Sequence, residues 1–154
     1  MVVVGVGNPL RRDDFVGVEV VRRLRRKLPS SGEGRVKLIE AETVPESFTG
    51  PVARFRPSHV IVVDAALHGS EPGQARLVEP EAVKGPLFST HAPSLRLFCS
   101  LVRASTGAEV VVLGIQPKDT RFGEGLSPEL EEAADVVAEA LARALSAVGL
   151  IPER

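Results

Sequence analysis

The sequence predicts an α/β fold: a three-layer α/β/α sandwich around a mainly parallel, twisted sheet of about five strands. Three observations carry this expectation. Short β-branched runs recur as "MVVVGV", "RVKLIEAE", "HVIVVDAA" and "EVVVLGIQP". The first, third and last are continuously apolar, as strands buried on both faces of a parallel sheet must be. Between the runs the apolar period changes from that of a strand to that of a helix, so strand and helix alternate along the chain.

Each element has its own local reason. "MVVVGV" is closed by a glycine, and after it Gly17, Val20, Val21, Leu24 and Leu28 fall on one face of a helix that ends before Pro29. The second strand follows the glycine-rich turn "SSGEG", and "PESFTGPVARF" holds a short helix or turn before Pro57. "HVIVVDAA" is a central strand ending in a carboxylate, whereas "GQARLVEP" alternates and is bounded by Gly and Pro, as suits an edge strand, antiparallel to its neighbour. A helix is expected from Pro93 to Thr106, then a buried strand at "EVVVLGIQP". In the last helix Ser127 is the expected cap, Pro128 occupies the first turn, and Leu130, Ala134, Val137, Leu141, Leu145 and Val148 form the buried stripe.

The 154 residues suit one domain, 1–154, with a mostly aliphatic core, since only 4% are aromatic. A formal net charge of -1 gives no reason to expect nucleic acid or an anionic membrane as partner. The cluster Arg22, Arg23, Arg25, Arg26 and Lys27 reads as the solvated face of a helix, with an acidic docking partner as the alternative. No apolar run reaches the length of a membrane span, and the opening run lacks the basic flank of a signal peptide, so a cytoplasmic location is expected. The lone Cys99, inside "LRLFCSLV", reads as a small buried hydrophobe.

In open parallel sheets ligands bind beyond the carboxyl ends of the strands. There the sequence delivers "GNPLRRDD" after the first strand, Asp64 after the third, and His91 in "STHAPS". The glycine loop does not suit a phosphate: Leu10 stands where a dinucleotide fingerprint needs its third glycine, and two aspartates would repel a pyrophosphate from the next helix start. A metal suits the same residues better. Asp13 or Asp14, with Asp64 and His91, offers two carboxylates and an imidazole to a divalent first-row ion such as zinc or nickel. Asp13, Asp14 and His91 each have a capping role as the plainer alternative; Asp64 ends a buried strand and must find a partner or a solvated cleft. His59 lies at the wrong end of its strand, and His68 has no supporting pattern. Ser89 and Ser94 flank His91, but no G-x-S-x-G elbow accompanies them.

Taken together, "GVGNPLRRDDFVG", "VVDAA" with "PGQARLVEP", "STHAPSL" and "LGIQP" resemble, in order and spacing from Val4 to Pro117, the hydrogenase maturation endopeptidases of nickel-iron hydrogenases. The resemblance implies a phosphorylase/hydrolase-like fold. It also implies an endopeptidase that removes the C-terminal extension of a hydrogenase large-subunit precursor after nickel insertion. The family's metal-binding and catalytic residues fall on Asp14, Asp64 and His91 here. Nickel would be carried by the substrate, with zinc or cadmium able to substitute in a purified sample, and the protein would be a monomer that docks transiently with the precursor. On this resemblance Gly5 and Gly7 serve to turn the chain sharply and place Asp14 over the sheet. The alternatives are a metal-dependent hydrolase of another substrate on the same fold, or a non-catalytic nucleotide- or nickel-binding module. The basic pair Arg11-Arg12 would tailor the cleft to one precursor.

Overall fold

The computed structural model describes residues 1–29, 34–83 and 91–152. Its five strands are β1 (Val2–Val6), β2 (Lys37–Glu42), β3 (His59–Ala65), β4 (Ala75–Val78) and β5 (Glu109–Ile115). Four helices accompany them: α1 (Val16–Lys27), α2 (Thr49–Phe55), α3 (Ala92–Thr106) and α4 (Pro128–Ala147). The sheet order is β2-β1-β3-β5-β4. All neighbours are parallel except β4, which runs antiparallel to β5 at the edge, as its alternating, largely exposed sequence requires.

Alternate side chains of each central strand enter different layers. Val3 of β1 packs with Val16, Val20, Val21 and Leu24 of α1 and with Leu130, Ala134, Ala138, Leu141 and Leu145 of α4. Val2, Val4 and Val6, one residue out of phase, face Val52 of α2 and Leu95, Phe98, Cys99 and Val102 of α3. This period-two division puts two helices on each face and accounts for the unbroken hydrophobicity of the central strands. Among the described residues no helix is long and apolar enough to cross a membrane.

The chain leaves β1 toward one face and reaches β3 from the other, so the carboxyl ends of β1 and β3 flank a point where the strand order reverses. Around that point Gly7 agrees with the expected sharp turn against Asp14, whereas Gly5 acts differently. A Cβ on Gly5 would lie 2.5 Å from the Gly17 carbonyl oxygen, and one on Gly17 would lie 2.1 Å from the Val63 carbonyl oxygen. Gly7 has φ +155, and its Cβ would meet the Asp14 carbonyl oxygen at 2.1 Å. Gly5 and Gly17 thus serve chiefly to bring the start of α1 into backbone contact with the sheet.

Two further expectations change. Ser127 does not cap α4 with its side chain: its carbonyl accepts the Leu130 and Glu131 amides, while its hydroxyl donates to Asp13 Oδ2 at 2.8 Å. Nor is the arginine cluster of α1 simply solvated. Arg22 and Arg25 bind Glu40 of β2, Lys27 binds Glu139 of α4, and Arg23, only 11% exposed, joins Glu19 to Glu131 and Asp135 of α4. The cluster ties α1 to its neighbours, while Arg25 and Arg26 remain exposed as expected of a solvated face.

Candidate metal centre

A 3-10 turn, Arg12–Phe15, carries the two aspartates into α1. Both are buried, but they face different partners. Asp13 Oδ2 accepts the backbone amides of Lys118 and Asp119, each at 2.9 Å, and the Ser127 hydroxyl; Oδ1 accepts the Ser127 amide at 2.7 Å. Asp13 is therefore the anchor of the loop between β5 and α4. Asp14 points to the other side, where its Oδ2 accepts the Asn8 amide at 2.9 Å and meets His91 Nε2 at 2.9 Å. Of the two aspartates, open on the residues alone, it is Asp14 whose side chain lies on the side of Asp64 and His91, while that of Asp13 faces the loop.

Asp64, the penultimate residue of β3 beside Gly114 of β5, and His91, which immediately precedes α3, complete the group. Asp14, Asp64 and His91 each offer one ligand atom, all within 4.8 Å of one another. Both carboxylates are buried and the imidazole nearly so. The His91 ring feels opposing influences. Burial pushes its pKa down, but the hydrogen bond to Asp14 and the negative charges of Asp64 and Asp14 outweigh this and Arg11, leaving the ring above its ordinary value. Two carboxylates this close in a dry site favour a cation between them, and the His91 proton is one way to supply it. A divalent ion is another: two carboxylate oxygens and one imidazole nitrogen form a donor set suited to a first-row metal, with positions left over for a further group.

Other sequence candidates fall elsewhere. His59 is exposed at the amino end of β3, bonded to Ser58. His68 lies past the carboxyl end of β3, its ring against the Gly114 carbonyl and the Ser70 hydroxyl. Ser89 lies outside the described residues, Ser94 is in the first turn of α3, and Cys99 is buried in the core with its thiol pKa pushed up to about 12 by burial. Gln116 is the residue that sequence reasoning passed over. Its buried side-chain oxygen accepts the His68 and Gly69 amides at 2.9 and 3.1 Å, fixing the chain as it leaves β3 just beyond Asp64. The signal was an amide directly after a buried strand, where a polar side chain must find partners.

The chain has known relatives. The sequence matches the hydrogenase maturation protease family over residues 18–144. It is 32% identical over 145 residues to a putative hydrogenase maturation protease of Methanocaldococcus jannaschii, covering 92% of this chain and 85% of that one. The hydrogenase 3 maturation protease of Escherichia coli K12 is 27% identical, covering 88% of this chain and 85% of its own length. Among solved structures, the NiFe hydrogenase maturation protease HycI from Thermococcus kodakarensis superposes with a TM-score of 0.83 at 35% identity, covering 94% of this chain and 91% of that one. The hydrogenase maturating endopeptidase HybD of Escherichia coli gives 0.79 at 26% identity, covering 96% and 93%. Its fold and its sequence place this chain in the hydrogenase maturation protease family, as a peptide hydrolase.

Proposed function

We propose that the protein is an endopeptidase that removes the C-terminal extension of a nickel-iron hydrogenase large-subunit precursor, recognising the precursor through the nickel already inserted in it. The observation that carries this reading is the convergence of Asp14, Asp64 and His91 within 4.8 Å at the carboxyl ends of β1 and β3, in a chain of the maturation protease family. Three donors make an incomplete coordination shell. They suit an ion whose other ligands come from the substrate, so the metal is read as part of what the enzyme recognises.

The protein's own residues have definable parts in this scheme. Asn8 and His91 orient Asp14, and Gln116 holds the chain beyond Asp64. Docking of metal-bearing substrate requires His91 to give up its proton, so the imidazole enters neutral. Asp14, Asp64 and His91 would hold the substrate's nickel, which would supply Lewis-acid polarisation to the peptide bond to be cut. Fixing that bond against the buried carboxylates is the positional part of the rate gain.

The test is incubation of the purified protein with nickel-loaded and nickel-free precursor from the same genome, read by intact mass. Loss of the extension from the loaded form alone is expected. Cutting of both forms would discard nickel recognition and keep the peptidase; cutting of neither would remove the proposed substrate. The double substitution Asp14→Asn with Asp64→Asn should abolish processing while the unfolding transition is retained, and processing by that variant would overturn the site assignment.

A further inference from the structure

All four parallel strands are followed, within the loop that leaves them, by one large apolar side chain exposed to solvent: Leu10 after β1, Val44 after β2, Leu67 after β3 and Phe122 after β5. Exposed apolar residues scattered singly are ordinary, but these four lie on the loops at one end of the sheet, the end that carries Asp14, Asp64 and His91. Phe122 is the extreme member at 80% exposure. It is also held in place from several directions. Asp13 fastens both ends of its loop through Lys118, Asp119 and Ser127. Next to it, the Gly123 amide donates to the Leu10 carbonyl at 2.9 Å, and the Gly123 carbonyl accepts the Arg12 amide at 3.0 Å. The Arg121 side chain is forked onto Asp119. A loop of this length without regular structure, fixed at so many points while presenting a bare phenyl ring, has a surface ready for a partner.

Charge narrows what that partner is. Arg11 and Arg121 are exposed beside Leu10 and Phe122, and Asp119 is shared between Arg12 and Arg121. Among the described residues Arg11 has no carboxylate partner, so this part of the rim is both apolar and cationic. From these observations we infer that the rim is the docking face for the hydrogenase precursor, with Phe122 and Leu10 as the apolar anchor and Arg11 as the cation beside it. The complementary surface of the precursor is an apolar pocket bordered by carboxylates. The inference rests on the proposed function and specifies how that substrate is selected. The same interlocking bonds join the anchor to the turn that bears Asp14, so a precursor seated on Phe122 is held in register with the metal-binding group.

The test uses the full chain and the nickel-loaded precursor, with binding followed by biolayer interferometry and processing by intact mass. Phe122→Ala is expected to weaken binding about tenfold or more, as hot-spot aromatics do, and to raise KM by a like factor with kcat within about twofold. Arg11→Gln should weaken binding less and reduce its salt dependence. Val136→Ala, at an exposed apolar position on α4, should bind as the parent does, and the unfolding curves of Phe122→Ala and Val136→Ala should match the parent because the replaced side chains are solvent-exposed. Parent-like binding and KM for Phe122→Ala, with the parent active, would overturn this inference and leave the peptidase reading standing. A parent protein that neither binds nor cuts the precursor would overturn both. If Phe122→Asp turns a dimer into a monomer in sedimentation while precursor binding is unchanged, the face belongs to a second copy of this chain and the inference is also wrong.

Discussion

Replacing Asp13 tests whether a fully buried carboxylate next to the Asp14, Asp64 and His91 group is an anchor or a ligand. Its two oxygens accept four hydrogen bonds, three from backbone amides and one from the Ser127 hydroxyl. Bonds to a charged acceptor contribute about 1.5–3 kcal/mol each, but part of the loop is near solvent, and water will satisfy some donors once the carboxylate is gone. Asp13→Ala should therefore cost about 4 kcal/mol, well short of the sum of four full bonds. Asp13→Asn keeps one oxygen, which can serve the three donors on Oδ2, but turns an amide toward the Ser127 amide; losing that bond costs about 2 kcal/mol. In a domain of this size the two changes lower Tm by about 8–16 °C and 4–8 °C. Urea unfolding followed by circular dichroism, with unchanged m-values, measures both. An Asp13→Ala protein within about 0.5 kcal/mol of the parent would refute the anchor, since surface substitutions of no structural consequence fall in that range. The same variant separates anchor from ligand: nickel affinity of the folded protein should survive Asp13→Asn and be lost in Asp64→Asn.

Other outcomes follow from the same geometry. His91 binds its proton more tightly in the folded protein than at its ordinary value near 6.5. Its stabilisation is thus complete below about pH 6.5 and lost as pH rises through the higher folded-state value. Urea midpoints of metal-free protein should fall across that window and His91→Gln should flatten the fall; parallel curves for the two proteins would be the contrary result. Gly17→Ala, whose Cβ would sit 2.1 Å from the Val63 oxygen and 2.4 Å from the Val6 oxygen, should cost about 3 kcal/mol or more by forcing α1 off the sheet. Gly34→Ala, with nothing among the described residues within 4 Å of the added carbon, should change stability by less than about 0.5 kcal/mol. Cys99, buried and with its thiol pKa pushed up to about 12, should resist a disulfide reagent at pH 8 until the chain is unfolded, and Cys99→Ser should still process precursor.

The fold was legible because its signals are local. A continuous run such as "HVIVVDAA" has few alternatives to a central strand, and the stripe from Leu130 to Leu145 has few alternatives to a helix lying on a core. Even the antiparallel edge could be read, since "GQARLVEP" alternates where the central strands do not. What could not be read depends on partners far along the chain. Ser127 has the position of a cap, yet its hydroxyl is taken by a residue 114 positions away. The α1 arginines look like a solvated helix face until Glu40, Glu131 and Glu139 arrive from β2 and α4. Gly5 looks like a turn residue until the backbone of α1 is found where its side chain would be.

Asp13 and Asp14 show the limit most sharply. Neighbouring, chemically identical and both buried, they are indistinguishable by composition, spacing or capping preference, and only the family resemblance favoured the second. The 3-10 turn separates them. Successive side chains in such a turn point about 120° apart, so when one faces the β5–α4 loop the other must face the end of β3. Glycine then sets how deep both go: with hydrogen at residues 5, 7 and 17 the turn sinks onto the sheet, bringing Asp14 to Asp64 and His91 while Asp13 reaches the amides of the opposite loop. The anchor and the Asp14, Asp64 and His91 group are products of one backbone placement. A change that lifts α1 should therefore weaken both together, whereas Asp13→Asn should loosen the loop and its Phe122 before it disturbs Asp14. Processing by Asp13→Asn should accordingly lose KM more than kcat, and an equal loss in both would mean that the turn moves as one body.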